Sequence, residues 1–118
     1  MLAELGGFLH IYIACGRTDM RKSIDGLAAI VVQNFHLDPF EKNLFLFCGR
    51  KKDRIKGLLW EGDGFLLLYK RLEGGAFNWP KDPQEVLEIT PQQYRWLMEG
   101  LSIYQENTIP KLEKKRLI

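Results

Sequence analysis

The chain has 118 residues, 46% hydrophobic, 27% charged and 12% aromatic, with a formal net charge of +2. That size and balance fit one globular domain that buries its own core, and exclude a disordered chain. No apolar run nears the roughly 18 residues that a membrane helix needs, and the opening MLAELGGFLH lacks the basic lead-in of a signal peptide.

FLHIYIAC, residues 8–15, alternates at strand spacing, with Phe8, His10, Tyr12 and Ala14 on one side. GRT follows as a turn. Met20, Ile24, Leu27, Ala28, Val31 and Phe35 then recur every three or four residues, which predicts a helix capped by Thr18 or Asp19. Gly26 inside that helix costs about 1 kcal/mol against Ala and suggests close approach by another backbone. Pro39 ends it.

NLFLFC (43–48) reads as a strand, and RIKGLLWE (54–61) and FLLLYKRL (65–72) as two more, joined by EGDG. With Gly62-Asp63 as the two-residue loop, Trp60 pairs with Phe65 and Lys56 with Tyr69; with Asp63-Gly64, Trp60 faces Leu67. AFNWP reads as a short strand stopped by Pro80. The loop KDPQEVLEI holds a further short strand at 86–89. TPQQYRWLMEGL (90–101) reads as a helix with Thr90 as cap and Pro91 in its first turn. The expected fold class is α+β: an antiparallel meander packed against an N-terminal and a C-terminal helix. Residues 1–101 form the single domain, and 102–118 a basic tail.

The charge is unevenly spread. GRKKDRIK (49–56) carries +4, residues 42–71 carry eight cations against three anions, residues 82–106 carry net −4, and KLEKKRLI (111–118) net +3. One end of the hairpin is expected to gather Arg50, Lys51, Lys52, Arg54, Lys56, Lys70 and Arg71, with Trp60, Tyr69, Phe77 and Trp79 nearby in sequence. Cations that neutralise phosphates, interleaved with aromatics that stack on bases, suit nucleic acid. The plainer alternative makes the aromatics core and the cations a soluble sheet edge.

Other chemistry lacks its residues. Two histidines without a paired spacing make zinc improbable. Neither phosphate-loop motif nor a nucleophile-elbow serine is present. Asp19, Asp25, Asp53, Asp63 and Glu73 are the remaining candidates for a metal-dependent nuclease, but Asp19 reads better as a cap and Asp63 as a turn residue. Cys15 and Cys48 are too few for a disulfide framework. The expectation is a cytoplasmic non-enzyme without cofactor or metal.

TDMRKSIDGLA (18–28), LFLFCGRKKDRIKGLLWEGDGFLLLYKRLEGGAFNWP (44–80) and TPQQYRWLMEG (90–100) occur in order. Together they resemble TnpB, the second open reading frame product of insertion sequence 66 elements, over about residues 10–100. The matching positions are Asp19, Met20, Arg21, Lys22, Ser23, Asp25 and Gly26, then Phe47, Arg50, Asp53, Arg54, Lys56, Trp60, Gly62, Asp63, Gly64, Tyr69, Lys70, Arg71, Leu72, Phe77, Trp79 and Pro80. Cys48, Gly57 and Glu61 depart from the family pattern, and Gly57 weakens its strand or marks a bulge.

The resemblance implies an accessory factor of a bacterial mobile element, whose strand-transfer enzyme is a separate, larger transposase. It makes DNA the expected partner, through Arg50, Lys51, Lys52, Arg54 and Lys56, with Arg21 and Lys22 adding to the surface. The alternative is an adaptor whose basic hairpin docks on the transposase or another accessory protein.

Overall fold

The computed structural model describes residues 8, 10–106 and 109. Its elements are β1 (His10–Ala14), α1 (Ile24–Gln33), β2 (Asn43–Cys48), β3 (Arg54–Trp60), β4 (Phe65–Arg71), β5 (Val86–Ile89) and α2 (Pro91–Met98). They build one five-stranded sheet in the order β4-β3-β2-β1-β5.

The α+β class holds, but the sheet is mixed. β2, β3 and β4 form the expected antiparallel meander, whereas β1 runs parallel to β2. The reason is the crossover: two neighbouring parallel strands need a long connection, and α1 supplies it. β5 pairs antiparallel with the free side of β1, where Ala14 faces Val86 and Ile11 faces Ile89.

β2 lies in the middle with all six residues buried. This explains the unbroken apolar run LFLFC (44–48), since a strand covered on both faces has no polar side to show. On one face Phe45, Phe47, Leu58 and Ala14 pack with Leu27 and Val31 of α1. On the other, Leu44, Leu46, Cys48, Ile11, Ile13 and Ile55 pack with Tyr94 and Leu97 of α2. Ile103 is buried there too, two residues past the boundary expected at 101. The basic residues of the expected tail lie outside the described residues.

Four local expectations are corrected. α1 begins only at Ile24, with Ser23 as a cap that makes no side-chain bond. Asp19 instead accepts from the backbone N–H and the guanidinium of Arg21. Met20 and Phe35 nonetheless pack beside the α1 core, so the helical spacing extends past the helix ends. Gly26 is close to a side chain: a Cβ there would lie 3.2 Å from Lys22 Cβ.

AFNWP is no strand. Phe77 and Trp79 alternate with exposed Asn78 because an extended segment lies across the sheet, tied by Phe77 N–H to Lys52 O at 2.7 Å. Gly57 marks no bulge, since the ladder runs unbroken from Lys56↔Tyr69 through Gly57↔Leu68.

The open hairpin register is decided and the expected cap of α2 holds. Trp60 pairs with Phe65, so of the two possible loops Gly62-Asp63 is the one formed, and Gly62 takes φ 92°. Thr90 caps α2 reciprocally with Gln93: its Oγ1 accepts from Gln93 N–H at 3.1 Å while Gln93 Oε1 accepts from Thr90 N–H at 2.9 Å.

Candidate functional site

Parallel β1 and β2 leave the sheet at the same end. The segment after β1 (15–23), the turn after β2 (49–53) and the chain after β4 (72–85) therefore meet there. Backbone bonds stitch them together: Thr18 N–H to Cys48 O, Gly16 N–H to Pro80 O and Leu72 N–H to Asp53 O. The basic octet is the middle of this junction. Lys52 holds its turn with φ 60° and an N–H bond to Gly49 O at 3.0 Å.

The exit segments leave a groove of about 870 Å³, lined by Arg17, Asp19, Arg21, Arg50, Lys51 and Arg54 among others. A smaller hollow of about 360 Å³ shares Arg17 and Arg50 and adds Lys52, Lys81, Trp79, Pro80 and Pro83. Nothing in the local sequence pattern singles out Arg17 or Lys81. The strand–helix–strand pattern over 8–48 was the available signal for Arg17, because a parallel pair puts its two exits side by side. Lys81 had none, being brought in by the chain that buries Trp79.

The cations differ in how committed they are. Arg21 is paired with Asp19 at 2.8 Å, Arg54 with Asp53 at 3.1 Å and Arg71 with Glu73 at 2.8 Å. Hydrogen bonds from Arg21 hold the Asp19 carboxyl well below the usual carboxylate range, and Arg54 lowers Asp53 in the same way. Lys56 Nζ donates to Lys22 O at 2.8 Å, tying β3 to the turn before α1. Arg17, Lys22, Arg50, Lys51, Lys52, Lys70 and Lys81 make no side-chain hydrogen bond or ion pair among the described residues. Lys70 alone faces the α2 side: it pairs with Ile55, while Arg54, Lys56, Tyr69 and Arg71 share the α1 side.

The aromatics separate from the cations. Phe77 and Trp79 are core, and Trp79 Nε1–H donates to Ala14 O at 2.8 Å. Trp60 stands at the far end of β3, about 20 Å from Arg54 at a strand's rise. There it meets Phe40 and Phe65 at centroid distances of 5.0 and 4.9 Å. Only Tyr69 remains beside the cations, 48% exposed and 5.8 Å from Lys56 Nζ.

Of the carboxylates weighed for metal chemistry, Asp19, Asp53 and Glu73 are each bound to an arginine. Among the described residues no three His, Cys, Asp or Glu side chains come together as a metal site. No helix among them is long and apolar enough to cross a membrane.

A mixed sheet between two helices, with cations unpaired among the described residues crowded on one end, defines a small α+β domain with an electropositive end. The chain belongs to the IS66 Orf2-like family: the family model described as "IS66 Orf2 like protein" matches residues 9–108. It is thus an accessory protein of an insertion sequence. It is similar to two proteins of Sinorhizobium fredii (strain NBRC 101917 / NGR234), both named as uncharacterized. Protein y4hO is 36% identical over 96 residues, covering 81% of this chain and 84% of that protein. Protein y4jC is 32% identical over 93 residues, covering 79% and 80%. No solved structure matches the chain.

Proposed function

We propose that the basic end binds DNA by its phosphates and so serves transposition of the element. The observation that carries this is the convergence of Arg17, Arg50, Lys51, Lys52 and Lys81, without acid partners among the described residues, on the junction where β1 and β2 exit. Phosphates would add to these cations without breaking any ion pair. Arg21 and Arg54 line the same groove already paired to carboxylates, as Arg71 is on β4, and there phosphate would compete with the carboxylate. Buried Phe77 and Trp79 offer no face to a base, and of the aromatics near the octet only Tyr69 is exposed, so the reading is chiefly of backbone contact rather than stacking.

Fluorescence anisotropy with labelled duplex DNA over a salt series tests it. Each phosphate contact contributes about −0.9 to the slope of log affinity against log salt, so Arg50/Lys51/Lys52→Ala should flatten that slope by up to about 2.7. Arg17→Ala/Lys81→Ala should flatten it further. A wild-type affinity that ignores salt, or that is absent at low salt, would sink the reading and turn attention to an acidic protein such as the separate transposase.

A further inference from the structure

The end of the sheet opposite the basic junction carries a cluster of another kind. Phe40, Trp60 and Phe65 contact one another, with Phe40 and Phe65 5.3 Å apart, and Phe40 is 58% exposed. They come from three segments: the loop before β2, the end of β3 and the start of β4. Asp38, Glu41, Glu61 and Asp63 stand beside them in sequence, all exposed, against the single cation Lys42. The patch is therefore apolar, aromatic and net −3.

That sign decides what the aromatics face. A base stacking on Trp60 would bring its phosphate among four carboxylates, so nucleic acid is disfavoured here. The fitting occupant is a peptide segment with apolar side chains for the ring cluster and cations for the rim. This chain contains one. Residues 111–118, KLEKKRLI, hold Leu112, Leu117 and Ile118 with Lys111, Lys114, Lys115 and Arg116 against one Glu113, a net +3. They lie outside the described residues and follow exposed Ile109.

We propose that residues 111–118 of a second copy dock on the Phe40/Trp60/Phe65 patch. The exchange is reciprocal in a two-fold pair: each copy gives one segment and receives one, which closes the assembly and lets the two contacts reinforce each other. Nothing in it involves the basic junction, so it stands apart from the DNA reading.

Sedimentation equilibrium of the full chain over a concentration series tests it. A monomer–dimer equilibrium is expected that weakens with salt. Glu61→Lys/Asp63→Lys should weaken it at least tenfold, as should Lys114→Glu/Arg116→Glu. Combining both pairs should restore most of the loss, because the attraction is re-formed with its signs exchanged. Phe40→Ser, at an exposed ring, should weaken it without unfolding the chain. A chain that stays monomeric overturns the proposal, and so does a dimer indifferent to the charge swaps or one they weaken without rescue when combined.

Discussion

Gly16 shows how much one residue does at the junction. Its φ is +74°, and a Cβ there would sit 2.7 Å from the backbone Cα of Pro83. Its N–H also donates to Pro80 O. Neither the conformation nor the contact admits a side chain without moving the segment that carries Lys81. Gly16→Ala should therefore cost at least about 2 kcal/mol, adding the left-handed strain to the overlap. A urea midpoint unchanged from wild type would show that this segment yields freely. Lys52 is the opposite case, a cation held at φ 60°. Asparagine tolerates that conformation, so Lys52→Asn removes the charge with the turn intact and is a cleaner probe of the DNA reading than alanine.

At the scale of elements, what could be read from the residues was what local chemistry decides. The capped start of α2, the three strands from 43 to 72 and the short strand at 86–89 all follow from pattern and turn residues. Strand pairing did not. Whether β1 lies parallel to β2 depends on the packing of α1 across the sheet, and nothing inside FLHIYIAC encodes its neighbour. Phe77 and Trp79 misled because an extended segment alternates burial whether or not it joins a ladder. The candidate site was half legible for the same reason. The octet announces itself by charge, but Arg17 and Lys81 join it only through the fold. α2 carries its own flaw: Tyr94 is 2% exposed, yet its hydroxyl finds no partner among the described residues. Burial pushes that phenol up to about 12. Tyr94→Phe removes a desolvated hydroxyl and keeps the ring, so it should stabilise the protein by about 1 kcal/mol in chemical denaturation. A loss of similar size would mean the hydroxyl is satisfied after all.

For the whole molecule, the core should be sensitive to alkali. Burial pushes the Cys48 thiol from near 9 up to about 12, and Cys15 up to about 11 with help from Glu85 and Asp82. Both thiols stay protonated in the folded state after the unfolded chain has begun to ionise. The unfolded state then binds fewer protons, so stability is full below pH 9 and falls from there through the folded values. By pH 10 the loss should be about 1 kcal/mol per cysteine. Urea unfolding at pH 8 and pH 10 measures it, and Cys15→Ala/Cys48→Ala should flatten the decline relative to wild type. An equal decline in that variant would exonerate the thiols.

The placement of Phe40, Glu61 and Asp63 at one end of the sheet, and of Arg17, Arg50 and Lys51 at the other, makes this nearly neutral chain an electric dipole. A net charge of +2 pulls only weakly on a distant polyanion. Opposite charges held at opposite ends of a rigid sheet produce a torque instead. If DNA is the partner proposed above, the molecule would turn its basic end toward that negatively charged rod before it touches, leaving its acidic aromatic end on the far side, where the second copy is proposed to dock.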